Sequence, residues 1–595
     1  MKNHLTLLLG VFIFGYGFAQ DTRFWKKNRN PIQNKNISTT ARNTEISQQN
    51  TYDLRVDKFK EVLSKCPKRF SSFGPSNVII TLPAKDGKFK KYRVKETNVL
   101  HPDLAKKFPD IKSYVGTSIN EDNEVVYFSM GHNNFKAIVM KPDATLEYIQ
   151  PYIDNSKTYV VTSGIDEAQH NFPLGAHNDV EQSFMEKSIQ LAKKSSSISR
   201  RNADDGLLRV FRLAIATTGE FSTFFINRAG LNEIMTRVNA IYERELGTTL
   251  ELIANNDAIV FLNAATDGLT HGNVGIANRE AQPIIDNIIG DNNYDVGHLV
   301  DTEGTGRASL NVVCVSGQKA LGGTGADPES LYFFVTIVHE LGHQFGALHS
   351  FNNSCGGNRL EEGAVEPGCG STIMSYATSS CAPRIDNGIQ YLFFHAKQID
   401  EMWNHIVETG CARTRSVGNS APTANAGGNY TIPRSTPFVL EGSGTDANAT
   451  DQLTYSWDQM DKEIAPMPPR ATSTNGPLFK YRPPTSSPNR YMPNISAIKA
   501  GNTVTEWEVV PSVSRTMNFR FLVRDNHPGG GNVAFDDAVI TVSGTAGPFV
   551  VTAPNTRVEW AKGSRQTVTW NVAGTTGNGV NAANVDILLS TDGGI

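Results

Sequence analysis

His339-Glu340-Leu341-Gly342-His343-Gln344-Phe345-Gly346-Ala347-Leu348-His349 places three imidazoles and a carboxylate within one short stretch of chain. Asp327 suits an N-cap and Pro328 the first helical position, so a helix is predicted from there to about Phe345. On that helix His339 and His343 stand four residues apart and leave the same face, as two ligands of one metal ion must. Glu340 is adjacent and can reach a metal-bound water without being a ligand itself. Gly346 tolerates a backbone conformation that other residues resist, so the helix can stop and turn, bringing His349 round as a third ligand. Three neutral imidazoles leave a tetrahedral zinc ion one open position for water. The preceding residues, Leu331-Tyr332-Phe333-Phe334-Val335-Thr336-Ile337-Val338, are apolar on every side, which predicts burial. At the end of such a helix, two histidines and a glutamate without a metal would leave polar groups unpaired at high cost.

The extended motif resembles the zinc signature of the metzincin metalloproteases. That clan carries a methionine in a tight turn beneath the metal, and Ser371-Thr372-Ile373-Met374-Ser375-Tyr376 fits it with Met374 as the turn residue. Residues 207–412, with the Cys-bearing segment Gly306-Arg307-Ala308-Ser309-Leu310-Asn311-Val312-Val313-Cys314, resemble the reprolysin or adamalysin group, and most closely the reprolysin-like enzymes of secreted bacterial proteins. The resemblance implies an α/β catalytic domain, a mixed twisted sheet with helices. It implies one catalytic zinc on His339, His343 and His349, with Glu340 as general base in the hydrolysis of protein or peptide substrates at internal bonds. Two positions depart from the group. Ser350 follows the third histidine where reprolysins usually have Asp, and Tyr376 sits two after the methionine, as in astacins and serralysins. Tyr376 is therefore either a catalytic residue that stabilises the oxyanion or a packed tyrosine. By the same resemblance Cys314 pairs with Cys411, Cys355 is assigned to Cys381 with Cys369 left over, and Ala320 to Gly325 takes the place of the substrate-pairing edge strand. Calcium is a further expectation of the family, with no ligand set in the sequence to hold it. A non-catalytic adhesin keeping a structural zinc is the rival reading, and the retained Glu340 argues against it.

Outward from this region the texture changes. Lys2 followed by the apolar run Leu7 to Phe18, with Gly17 and Ala19 at the positions a signal peptidase reads, predicts a signal peptide over 1–19 and export from the cell. Residues 20–203 read as a propeptide. Its start is polar, and from Tyr52 short alternating stretches such as Asn77 to Leu82 and Glu124 to Phe128 mark a β-rich module. Val99 to Ala105 and Phe108 to Tyr114 resemble the propeptides of these enzymes, which makes the module an intramolecular inhibitor of a zymogen. Its lone Cys66 is a zinc-blocking thiol, a bystander or the partner of an odd cysteine. A helix-like segment, Glu181 to Lys194, leads into Ser195 to Asn202, whose paired Arg200-Arg201 predict an accessible processing site.

The catalytic domain is placed at 204–413. Leu208 to Ala216 alternates like a strand, Glu233 to Leu246 has apolar residues at helical spacing, Leu250 to Ile253 and Ala258 to Leu262 are strand-like, and Ala396 to Glu408 is a final helix. Past a small-residue linker, Ser416 to Pro422, residues 420–545 resemble a PKD-like or immunoglobulin-like β-sandwich, an all-β module. A further sandwich is expected to open within 547–595 and to stop in mid-pattern after a strand at Val585 to Leu589.

Composition closes off other classes. A chain of 595 residues needs several cores, and 39% hydrophobic with 19% charged content is ordinary for globular protein. A net charge of −3, without a basic run carrying interleaved aromatics, gives no reason to expect nucleic acid as partner. No stretch reaches the ~18 apolar residues of a membrane span. Six cysteines, five of them between Cys314 and Cys411, suit one or two local disulfides in an oxidising compartment.

Overall fold

Strands in the N-terminal third alternate apolar side chains to both faces, and both faces are covered. The computed structural model describes residues 24–28, 51–163 and 205–591, less gaps at 72–73, 121–123, 132–133, 143–144, 153–156, 225–229 and 378–380. The proposed signal peptide, the helix-like 181–194 and the Arg200-Arg201 site lie outside the described residues, as does most of 20–50.

Nine strands form one antiparallel sheet: β1 Trp25–Lys27, β2 Thr51–Leu54, β3 Ile79–Pro83, β4 Phe89–Thr97, β5 Lys112–Ser118, β6 Val125–Met130, β7 Phe135–Met140, β8 Leu146–Pro151 and β9 Thr158–Ser163, in the order β1-β2-β9-β8-β7-β6-β5-β4-β3. Helix α1, Val56–Leu63, lays Phe59 and Leu63 on one face, against Val126, Phe128, Phe135 and Val139. The alternate residues Val125, Tyr127, Ile138 and Met140 enter a core shared with the region that follows. A short helix, α2 Pro102–Lys107, starts at that junction. Just before it the chain adds to the neighbouring sheet: Leu252 N donates to Val99 O, and His101 N to Leu252 O.

The central sheet contains β10 Leu207–Thr217, β11 Thr248–Leu252, β12 Val296–Asp301, β13 Gly306–Ala308 and β14 Gly322–Gly325, in the order β11-β10-β12-β14-β13. All neighbours are parallel except β13, which runs antiparallel to β14. The β10 side chains divide by parity. Phe211, Leu213 and Ile215 face a core with α4 Gly230–Leu246, α6 Leu331–Gln344 and α7 Ala396–Thr409; Ala214 and Ala216 face α5 Val274–Ile288. Between β10 and α4 lies the short α3, Gly219–Phe224.

Four expectations about the central region need correction. Gly322 to Gly325 is interior, because β12 and β14 pair parallel and leave β13 outermost; the edge strand is Gly306–Ala308. Ala258 to Leu262 is not a strand: Asn256–Ile259 is a 3-10 turn, fixed because the Asn256 amide bonds both Ile215 N and Ile215 O. The long apolar helix is capped by Ser330, whose hydroxyl accepts from Phe333 N, since Asp327 to Ser330 closes a turn of its own. The sheet also does not stop at Cys411, because β15, Arg413–Ser416, pairs antiparallel with the start of β10.

Beyond it lie β16 Thr423–Asn425, β17 Tyr430–Pro433, β18 Phe438–Glu441, β19 Ser443–Thr445, β20 Thr454–Gln459, β21 Asn489–Met492, β22 Arg515–Arg524 and β23 Val533–Ser543. They form sheets β17-β23-β22-β20, β16-β19 and β18-β21 around Trp457, Phe479, Phe519, Phe521 and Ile540. This module is bolted to the central domain. Arg524 of β22 and Glu245 of α4 form an ion pair at 3.0 Å with both side chains 0% exposed. The last strands, β24 Val550–Ala553 and β25 Thr569–Asn571, pair with each other. Residues 585–589 form no strand; Leu588 and Leu589 are exposed, so no apolar face holds them in a ladder.

Candidate metal centre

The three histidines meet because α6 ends where the sequence says it should. His339 and His343 leave one face of α6, and the chain reverses at Gly346, whose φ of 108° lies in the region that favours glycine. Ala347 N then bonds back to Gly342 O, and His349 returns beneath the helix end. One ring nitrogen from each histidine lies within 4.8 Å of the others. For His343 and His349 these are the Nε2 atoms, 3.2 Å apart.

The opposite nitrogens are all used for orientation. His339 Nδ1 bonds Ile373 O at 2.8 Å, His343 Nδ1 bonds Ala347 O at 2.7 Å, and His349 Nδ1 bonds Asn358 O at 2.6 Å. A carbonyl only accepts, so each Nδ1 is the protonated donor and each Nε2 carries the lone pair. Lone pairs converging at such distances repel unless a cation sits among them. The donor set therefore fits a metal ion, with backbone carbonyls fixing tautomer and ring orientation as outer-sphere partners do. All three rings are buried, His339 being the most exposed at 6%.

Glu340 is 1% exposed and lies against the edge strand, where a Cβ added at Gly306 would collide with its Oε1. Tyr242 supports the helix from behind, its hydroxyl donating to Val338 O at 2.9 Å. Below the site, a Cβ on Gly342 would come within 2.7 Å of Met374 Sδ, which places Met374 directly under α6. The Tyr376 ring lies 4.9 Å from the His349 ring and 6.2 Å from that of His339, centroid to centroid. The turn that carries Met374 is fastened by a residue the sequence did not single out. Glu366, 1% exposed, accepts from Ser371 N, Ser371 Oγ, Thr372 N and Thr372 Oγ1. No spacing pattern announces it; a carboxylate five residues before a Ser-Thr pair is its only trace.

The cysteines are brought together as follows. Cys314 and Cys411 adjoin, with a Cα–Cα distance of 6.4 Å, between the β12–α6 connection and the end of α7. Cys355 and Cys369 both approach Cys381, with Cα–Cα distances of 4.9 Å and 5.9 Å; one sulfur bonds only one other, so these three hold one disulfide. Cys66 packs on the face of the nine-stranded sheet turned away from the central domain. Burial pushes its thiol up to about 12, against the thiolate that a metal ligand requires.

Residues 208–399 match the family model described as metallo-peptidase family M12B, reprolysin-like. The chain carries a reprolysin-like zinc metallopeptidase domain. That family implies zinc, and the His339, His343 and His349 triad is the donor set able to hold it. No curated protein matches the chain. Among solved structures, a nucleoside hydrolase-related hypothetical protein from Saccharophagus degradans aligns over 56% of this chain and 99% of its own at 11% identity, with a TM-score of 0.17, too slight a likeness to bear on the fold. No helix among the described residues of this metallopeptidase is long and apolar enough to cross a membrane.

Proposed function

We propose that this metallopeptidase is a secreted endopeptidase made as a zymogen, with zinc on His339, His343 and His349 and Glu340 as general base. The observation that carries the reading is the convergence of three Nε2 lone pairs beside Glu340, the residue that follows His339 on the same helix. Bound zinc supplies Lewis acidity, polarising the scissile carbonyl and lowering the pKa of water. Glu340 accepts the proton from the attacking water and delivers it to the leaving amine. Its position against Gly306 sets that carboxylate beside β13, the free antiparallel edge on which an extended peptide adds as a further strand. Met374 is proposed as the clan's turn methionine, and Tyr376, whose ring lies 4.9 Å from that of His349, as the oxyanion donor. Cys314–Cys411 and Cys355–Cys381 are the proposed disulfides, consistent with export.

The N-terminal module acts as the intramolecular inhibitor. It works by packing across α4 and extending the sheet at β11 rather than through Cys66, and processing near Arg200-Arg201 frees it. The sandwich is part of the catalytic unit, since Asn352, three residues past the third ligand, bonds the backbone of Lys462, Glu463 and Ala465.

The test is casein hydrolysis by the full chain after arginine-specific cleavage, with zinc counted by metal analysis. Glu340→Gln should lower the rate by about 10²–10⁴-fold while one zinc remains bound. Equal rates for the variant and the parent, or a parent without zinc, would defeat the proposal.

A further inference from the structure

The face of the nine-stranded sheet that meets the central domain is apolar only in part. Val115 and Val125 enter the shared core, but Lys95 pairs in register with Val115, and Arg93 with Thr117, so both cations leave β4 on that same face. There a cavity of about 910 Å³ opens between β4 and β5, the end of β15 with the linker after it, and the sandwich loops at 450–452 and 526–528. Its charge is one-sided. Arg69, Arg93, Lys95 and Arg415 line it, and Asp451 is the only acid among the described residues that do.

The single acid does not balance these charges. Asp451 is engaged by His527, whose Nδ1 lies 2.7 Å from its Oδ2, while Glu243 at 2.9 Å answers Arg69 alone. Arg93 donates through Nη1 to the carbonyl of Ser76, and Arg415 stacks on Phe70 with Cζ 4.8 Å from the ring centroid; neither contact neutralises a charge. Arg69 lies over the same ring, also at 4.8 Å, so two guanidiniums share one aromatic side chain. Like charges gathered in a partly buried space repel. Burial and the Arg69 charge hold the Lys95 ammonium below its usual pKa. The Arg69 side chain is 7% exposed, and its buried Nη2 has no hydrogen-bond partner. An anion with several acceptor oxygens would offset the repulsion and take up the spare donor.

We propose that this cavity binds a phosphate or sulfate group, held by Arg93, Lys95 and Arg415 with Arg69 beside them. Several cations facing one acid that is already engaged favour a dianion, and the guanidinium fork matches the oxygens of a tetrahedral oxyanion. The volume lies in the range of small-molecule sites, and Val125, Pro142 and Val417 give it an apolar wall. The group can therefore arrive on a small organic carrier. The site is also composite. Arg69, Arg93 and Lys95 belong to the N-terminal module, whereas Arg415 lies on the strand that closes the central sheet. A bound anion holds these two parts together, and the site is lost when they separate. The binding does not depend on whether the N-terminal module inhibits the peptidase.

The experiment titrates inorganic phosphate, and separately inorganic sulfate, into the uncleaved zinc-loaded chain at an ionic strength held constant with sodium chloride. Heat of binding and the melting midpoint are recorded. One anion per chain is expected, with a dissociation constant of about 1 mM or tighter and a midpoint that rises with its concentration. The ion that binds more tightly tells which kind of group the cavity takes. Arg415→Gln and Lys95→Gln should each weaken binding by about tenfold or more, and Arg415→Lys, which keeps the charge, should lose less. Lys88→Gln removes an exposed cation outside the cavity and should leave binding unchanged. An anion taken up at the zinc would bind Arg415→Gln as well as the parent. That result, the absence of binding, or an equal loss in Lys88→Gln and Arg415→Gln would each overturn the proposal.

Discussion

Replacing Arg524 by Met should loosen the sandwich from the catalytic domain. Arg524 reaches Glu245 through Nε and Nη2 at 3.0–3.3 Å, Ser456 Oγ at 3.2 Å and Phe394 O at 3.4 Å. Met fills similar volume but leaves Glu245 buried with Arg244 Nε, at 2.7 Å, as its remaining cation. Removing one member of a buried ion pair costs about 3–5 kcal/mol, and the Arg244 contact places the expected loss near the lower figure. Hydrogen exchange read by mass spectrometry on the zinc-loaded chain is the suitable assay, because it reports β22 and α4 separately. In the parent both should open in one cooperative event; in Arg524→Met the sandwich should open first, at a free energy lower by about 3 kcal/mol. The double variant Glu245→Met with Arg524→Met should recover only part of the loss, since it removes both charges of this pair but leaves Arg244 buried without its carboxylate partner. A loss under about 1 kcal/mol, with both segments still opening together, would refute the argument that this ion pair couples the modules.

Two further outcomes follow from buried groups. His298, His395 and His405 are held neutral by burial, each pushed down to about 4, whereas in the unfolded chain they titrate near 6.5; the unfolded state then binds more protons between those values, so stability present above pH ~6.5 is lost as pH falls towards 4. His405→Gln should flatten that slope in denaturation midpoints compared at fixed zinc, and an unchanged slope would mean His405 is already protonated in the fold. Glu366→Ala strands the donors of Ser371 and Thr372, so it should cost about 3 kcal/mol and lower the turnover rate more than zinc content, which parallel melting, rate and metal measurements would check.

The metal centre was legible because its determinants are local. Helical spacing fixes His339 and His343 on one face, and one glycine suffices to return His349. What escaped the sequence depends on neighbours distant along the chain. Gly322 to Gly325 and Gly306 to Ala308 are both short and glycine-bearing, and only the strand order reveals which has a free edge. Helix α4 reads as amphipathic, yet its polar side is covered: Glu243 pairs with Arg69 at 2.9 Å, Glu233 with Lys136 at 2.8 Å, and Asn232 accepts from Ser113 Oγ. A polar helix face matched by a polar sheet face looks in sequence like one facing water. In the linker after β15, Asn419 donates to Asp525 Oδ2 and Gly530 O, contacts that its composition does not announce.

The shared core between the nine-stranded sheet and α4 imposes an order on synthesis. Tyr127, Ile138 and Met140 leave the ribosome roughly ninety residues before the helix that covers them. At about 5–20 residues per second the nascent sheet waits several seconds with that face uncovered. When α4 arrives it meets a surface already shaped to receive it, including Arg69 and Tyr127 set to take Glu243. The N-terminal module thus serves as a mould laid down first, and a catalytic domain expressed without it has to find the same fold with one wall of its core missing.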